Sequence, residues 1–300
     1  MPIVQIIHNP TAGDEEHTKK NLIQLIESQG LECRYSSTKK PGWEKFKPDT
    51  DMLVLAGGDG TIRKVTAELL SRKLLDKRYP IGLLPLGTAN NIARTLKLHG
   101  KLEDLSQCWE ACRTTPFDVG LIQGLDEQPA FFLESYGTGL FPRLMSEMKL
   151  LGEKEDETPT EKIKRALRVL HTLVLDYQPR ECTLLIDGVD HSGHYLLVEV
   201  MNTTSFGPNL SLAPTADPGD GLFDVVVIGE EQRAEFASYV QDLLNGHPLP
   251  FSYHTFRGQK IEIEWQGTHA HMDDELLRKM KKFSKISIEV QKGILEFIIP

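Results

Sequence analysis

One stretch, Leu53-Val54-Leu55-Ala56-Gly57-Gly58-Asp59-Gly60-Thr61, narrows the folds open to this chain more than any other. An apolar run of strand length stops at glycines set around one acid, and a helical pattern over Ile62 to Leu70 begins at once. A glycine turn beside a helix N-terminus makes an anion site, because its amides point outward and the missing Cβ admits close approach. Asp59 among such amides makes chemical sense if a divalent cation bridges it to phosphate. A tight strand-to-helix turn with a solvent-facing acid is the other reading of the same spacing. The segment is neither GxGxxG nor GxxxxGK followed by Ser or Thr, so it is not a dinucleotide fingerprint or a P-loop.

The same punctuation recurs along the first third of the chain. Ile3 to Ile7 reads as a buried strand broken by Asn9-Pro10-Thr11-Ala12-Gly13. A helix over 19–28 places Leu22, Leu25 and Ile26 at helical spacing, and Leu31 to Tyr35 is a second strand before the turn at Ser36-Ser37-Thr38. Strand 51–55, helix 61–71, strand 81–84 and helix 88–98 follow. Such alternation predicts a Rossmann-like, mostly parallel α/β sheet covered on both faces, with functional loops outside the carboxyl ends of its strands. Asn9, Gly57 to Thr61 and Gly87 to Asn90 each follow a strand, which lines them along one edge.

From Phe117 the character changes. After apolar helical patterns over 140–151 and 163–175, strands dominate, from Cys182 to Ile186 through to Leu295 to Ile299, with one short helix near 232–244. This succession predicts a second, antiparallel β-rich domain. Forty per cent apolar residues suffice for its core, and a net charge of -9 offers no global attraction to nucleic acid. Cys33, Cys108, Cys112 and Cys182 form no CxxC pair, and no apolar run or N-terminal pattern suggests a membrane span or a secretory signal. A cytoplasmic enzyme, touching the inner membrane surface at most peripherally, is the expectation.

Gly57-Gly58-Asp59-Gly60-Thr61 resembles the nucleotide-binding motif of the diacylglycerol kinase catalytic-domain family, which includes bacterial lipid kinases and sphingosine kinases and is distantly related to NAD kinases. Asn9-Pro10-Thr11-Ala12-Gly13 resembles its first phosphate-side loop, and Leu84-Pro85-Leu86-Gly87-Thr88-Ala89-Asn90-Asn91-Ile92-Ala93-Arg94 its third motif. The resemblance implies an active site in the cleft between a nucleotide-binding domain, 1–116, and a sandwich-like lipid-substrate and structural-metal domain, 117–283, with strands in 284–300 returning to the first. It implies ATP and Mg2+ as cofactors, one ion acting with the nucleotide and one structural. It also implies a lipid substrate and transient peripheral membrane contact, and leaves room for a homodimer.

A kinase must hold polyphosphate, neutralise developing charge and deprotonate an acceptor. Gly57, Gly58, Gly60 and the Thr61 amide suit the first task, and the resemblance adds Asn9, Thr38, Thr88 and Asn90. Asn90 would serve equally as an Asx turn or helix cap. Asp59 ranks first for catalytic magnesium. Ala216-Asp217-Pro218-Gly219-Asp220-Gly221-Leu222-Phe223-Asp224 is a surface loop or a cation loop by composition. By resemblance it is the structural magnesium loop, with the Asp220 carboxylate and with Asp217 and Leu222 contributing partly through carbonyls.

His269, His271 and Asp273 alternate, as zinc ligands or a half-solvated strand would. The resemblance selects Asp273 and Glu275 instead, with Glu275 as general base toward the lipid hydroxyl. Four positions depart from the family pattern: Arg63 and Lys64 stand where Asn-Glu is frequent, Asn91 where Asp is frequent, and Asp274 where Gly is expected. With Asp59, Asp220 and Glu275 retained, the expectation is a divergent lipid kinase. The alternatives are a soluble-acceptor kinase of the NAD kinase type and an inactive nucleotide- or lipid-binding regulator.

Overall fold

The apolar runs ended by turn residues become parallel strands. The structure, a computed structural model, describes residues 1–13, 17–72, 77–125, 130–152, 157–247, 249–278, 280 and 282–300. It divides into two units, Met1–Asp118 with Lys292–Pro300, and Val119–Gln291.

The first unit runs β1 (Ile3–His8), α1 (Lys19–Ser28), β2 (Glu32–Ser37), β3 (Met52–Gly57), α2 (Asp59–Leu70), β4 (Pro80–Pro85), α3 (Asn91–Thr95) and α4 (Leu102–Ala111), and then enters β5 (Thr114–Gln123). The sheet order β4-β3-β1-β2 is parallel throughout. Every residue of β3 is buried, which requires cover on both faces of the sheet. Thr18 caps α1 by accepting the Asn21 amide, and Leu22 and Ile26, one turn apart, enter the core. Trp109 of α4 lies so close to β4 that a Cβ at Gly82 would come 2.8 Å from its Nε1.

Two boundaries differ from the periodicity. Helix α2 starts at Asp59 rather than Thr61, because Gly58 takes the N-cap. The apolar pattern over 88–98 yields only Asn91–Thr95, since Asn90 (φ 51°) and Lys97 (φ 59°) turn left-handed on either side.

The second unit is an antiparallel β-sandwich with helices on one side. It contains β6 (Ala130–Phe132), β7 (Ser135–Gly139), α5 (Leu140–Leu151), α6 (Pro159–Asp176), β8 (Arg180–Ile186), β9 (Val189–Asp190), β10 (Gly193–Met201), β11 (Phe223–Gly229), α7 (Arg233–Asn245), β12 (His254–Gly258), β13 (Lys260–Trp265), β14 (His269–Met272), β15 (Glu275–Arg278) and the start of β16 (Lys285–Ile298). Alternation along β10 feeds two apolar layers. Val198 and Val200 join Phe132, Tyr136 and Ile288 between strands, while Leu197 and Met201 join Phe141, Leu170 and Phe236 beneath the helices. Pro159 and a reciprocal Thr158–Glu161 capping box start α6 four residues before its apolar periodicity shows. Strand β16 pairs antiparallel with β13 and ends parallel to β4 of the first unit. There Phe297 meets Phe117 edge-on, and the Asp118 carboxylate accepts the Gly293 amide at 2.6 Å.

Leu140, Phe141 and Leu144 are ordinary core, whereas Leu150 and Leu151 at the end of α5 are exposed. Of the acidic run 153–157, only Glu157 lies within the described residues, paired with Arg165 at 2.7 Å. Of the basic run 278–282, residues 279 and 281 and the side chain of Arg278 lie outside the described residues. Among the described residues no helix is long and apolar enough to cross a membrane.

Candidate functional site

In the first unit, the Gly57–Gly60 turn and the Gly87–Asn90 turn lie against each other. A Cβ on Gly58 would come 2.9 Å from the Gly87 Cα, and one on Gly87 would come 2.5 Å from the Gly58 Cα and 2.8 Å from Asn90 Oδ1. A Cβ on Gly57 would meet Thr61 Cβ at 2.7 Å. Packing between the two loops therefore demands Gly58 and Gly87, and the fold of the first turn onto Thr61 demands Gly57. Gly60 is different: it is exposed and nothing lies within 4 Å of where its Cβ would be. The N-cap of α2 is Gly58, which has no side chain to bond the first-turn amides, so this end suits an anion.

Asp59 is buried and turned inward. Its Oδ2 accepts the Asn91 amide at 2.9 Å and its Oδ1 the Ile92 amide at 3.2 Å, so its carboxylate caps α3 across the two loops. A carboxylate held in this way is a hard oxygen donor of the kind a magnesium ion takes, often through water. Asn90 acts as the structural alternative requires. Its Oδ1 accepts the Gly87 amide at 2.9 Å, its Nδ2 donates to the Gly87 carbonyl at 2.7 Å, and its own backbone is left-handed.

The remaining first-unit candidates share the carboxyl edge of the sheet. Asn9 follows β1 and accepts from the Thr11 hydroxyl at 2.8 Å, and Thr38 follows β2 with its amide on the His8 carbonyl at 2.9 Å. Thr61 is buried in the first turn of α2, while Thr88 is exposed. Lys64 donates to the Thr38 carbonyl at 3.3 Å and lies 4.9 Å from the Trp43 ring centroid, so this departure from the family pattern ties α2 to the loop after β2.

The 217–224 loop forms by Asx turns: Asp217 Oδ1 accepts the Gly219 amide at 3.0 Å and Asp220 Oδ1 the Leu222 amide at 2.9 Å. The other Asp220 oxygen is bonded by Arg257, whose guanidinium also lies 3.7 Å from Asp224. Burial raises the Asp224 pKa, against the attraction of Arg257. Among the described residues, no three His, Cys, Asp or Glu side chains converge as metal ligands. A cation at this loop would draw on the Asp217 and Asp220 carboxylates and nearby backbone carbonyls, in competition with Arg257 for Asp220.

The third segment is a hairpin. Met272 pairs with Glu275, leaving Asp273-Asp274 as its turn. The left-handed residue is Asp273 (φ 51°), not Asp274, where the family pattern places Gly. Asp273 is buried and its carboxylate accepts the amides of Leu133 (3.1 Å), Glu134 (2.8 Å) and Ser135 (3.2 Å). That nest gives Asp273 an anchoring role, while Glu275 is exposed at the start of β15.

His271 is not half-solvated. It is fully buried, with Nε2 2.6 Å from Glu199 Oε1 and Nδ1 2.9 Å from the Asp273 carbonyl. Burial opposes its charge, yet the Glu199 carboxylate and the two hydrogen bonds raise its pKa overall. Glu199 belongs to no motif, and its one signal in the sequence is a single acid in the apolar run Leu196-Leu197-Val198-Glu199-Val200-Met201.

The glycines make separable expectations. Gly87→Ala must push two backbones apart and should lose about 1–3 kcal/mol in urea unfolding. Gly60→Ala, in the first turn of α2, should keep or slightly raise stability, by up to about 1 kcal/mol, yet weaken ATP binding. Equal stability losses at the two positions would contradict this division.

The comparisons with known proteins agree along most of the chain. The diacylglycerol kinase catalytic domain matches residues 4–122, and the YegS C-terminal NAD kinase beta sandwich-like domain matches residues 156–296. A diacylglycerol kinase of Bacillus subtilis is 29% identical over 261 residues, covering 83% of this chain and 81% of that protein. The human mitochondrial acylglycerol kinase is 29% identical over 134 residues, 41% of this chain and 32% of its own. In fold, a crystal structure of a diacylglycerol kinase from Bacillus anthracis superposes with a TM-score of 0.73 at 21% identity, covering 100% of this chain and 97% of that one. Yeast NADH kinase reaches 0.52 at 11% identity over 100% of this chain and 84% of its own, and nothing favours the NAD kinase alternative. This chain belongs to the diacylglycerol kinase catalytic-domain family, in its YegS-like group of ATP-dependent lipid kinases.

Proposed function

We propose that this lipid kinase transfers the γ-phosphoryl group of ATP to a hydroxyl of diacylglycerol or a related membrane lipid, with Glu275 as general base. The observation that carries the nucleotide half is Gly60, exposed at an uncapped helix N-terminus with no packing reason to lack a side chain. Gly57, Gly58, Gly60, Thr61, Asn9, Thr38, Thr88 and Asn90 form or shape the loops proposed to hold the triphosphate. Asp59 holds those loops in register and is the residue proposed to meet nucleotide-bound magnesium, through water. That ion, when bound, would neutralise charge on the phosphates. Glu275 is exposed on a hairpin held by the buried Asp273, and its carboxylate is of a kind suited to take the proton of an acceptor hydroxyl.

The exposed Leu150 and Leu151 support transient contact with a membrane surface, and we place the protein in the cytoplasm, at the inner face of the membrane when it works. The net charge of -9 offers no global attraction to nucleic acid, and the proposal allows for a homodimer.

Incubation with γ-labelled ATP, magnesium, lipid extracts and NAD tests the acceptor class and the base together. Label should enter a hydroxyl-bearing lipid and not NAD. Glu275→Gln should lower the maximal rate about 100- to 10,000-fold with ATP affinity nearly unchanged. Labelled NAD would overturn the acceptor, and parental turnover of Glu275→Gln would remove it as the base.

We propose Asp217, Asp220 and Leu222 as the structural magnesium loop, with Arg257 yielding Asp220 when the ion binds. Magnesium should then raise the melting temperature of the nucleotide-free protein, more so in Arg257→Gln and not at all in Asp220→Ala. Equal melting temperatures with magnesium and with a chelator, in parent and Arg257→Gln alike, would rule the loop out as a cation site.

A further inference from the structure

We infer that Glu199 and His271 form a buried positioning pair that aims Glu275, an inference that rests on Glu275 being the base. The pair is assembled across three strands. His271 on β14 and Glu199 on β10 both stand opposite Gly137 of the intervening β7. A Cβ at Gly137 would collide with Glu199 Oε2 and come 2.7 Å from His271 Nε2. Only glycine on the middle strand lets the two side chains meet over it.

Two aromatic rings flank the imidazole. Phe141 of α5 lies edge-on to the imidazole at 4.5 Å between centroids, and Phe206 lies 6.1 Å away in a stacked orientation. Glu199 is fully buried, and its Oε2 finds no hydrogen-bond partner among the described residues. Packing alone gives no reason for an acid there, since well-fitted apolar side chains fill such a space at least as stably as an ion pair.

What the pair does have is a line to the hairpin turn. A carbonyl only accepts, so the Nδ1 facing the Asp273 carbonyl carries a proton, and Nε2 faces a carboxylate. Asp273 is thereby gripped on both sides, its carbonyl by His271 and its carboxylate by the amides of Leu133, Glu134 and Ser135. Two residues later comes Glu275, whose register is set by its pairing with Met272 next to His271. The pair touches no substrate; it holds the left-handed turn from which the base emerges.

A double-mutant cycle in the lipid kinase assay tests this. His271→Gln can reach Glu199 but cannot also reach the Asp273 carbonyl, so it should lower kcat at least tenfold while leaving the KM for ATP unchanged. In a Glu275→Gln background the same change should have no further effect. Asn at 271 carries its amide near the Nδ1 position, so His271→Asn combined with Glu199→Gln should recover part of the loss. Should His271→Gln fail to fold, Glu199→Gln goes through the same cycle with the same expectation. Parental kcat for both, or an equal loss with and without Glu275, would overturn the inference. Parental turnover of Glu275→Gln alone would instead sink the base assignment itself, and the inference with it.

Discussion

The carboxylate of Asp59 sits on the amides of Asn91 and Ile92, and the first unit is arranged around that contact. The acid opens α2 and caps α3, so one side chain fixes the ends of two helices that follow different strands. For it to reach, the turns after β3 and β4 must touch backbone to backbone, which explains Gly58 and Gly87. Asn90 then closes the second turn on itself through the Gly87 amide and carbonyl. A phosphate site built from such loops is pre-organised, because the amides that would face an anion are held before any nucleotide arrives.

The second unit repeats the device with different parts. Asp273 buries its carboxylate in the amides of residues 133–135 and so fixes a two-residue turn, leaving Glu275 exposed just beyond it. In both units the aspartate nearest the expected chemistry does structural work toward the backbone. Losing either carboxylate would leave the backbone amides it accepts unsatisfied.

Much of this was legible in the sequence, for identifiable reasons. Glycine, proline and asparagine punctuate β1, β3 and β4, so the loops at the carboxyl edge could be located from 9–13, 57–61 and 87–90 alone. Local pattern failed where the deciding partner is distant. Lys97 turns left-handed and stops α3, although the apolar periodicity continues. The turn strain falls on Asp273 because its carboxylate has a nest waiting 138 to 140 residues earlier in the chain. His271 looked half-solvated because its partner Glu199 lies two strands and 72 residues away, reachable only over Gly137. Arg257 on Asp220, 37 residues apart, was likewise invisible to spacing.

Hydrogen exchange at the Asn91 and Ile92 amides, followed by NMR in the parent and in Asp59→Ala with and without magnesium–ATP, addresses the lock on the nucleotide loops directly. Both amides should be protected in the parent and exchange at least tenfold faster in Asp59→Ala, with nucleotide slowing exchange in the parent far more than in the variant. Equal protection of the two amides in parent and variant, with the same response to nucleotide, would contradict the claim that Asp59 holds the phosphate-side loops together.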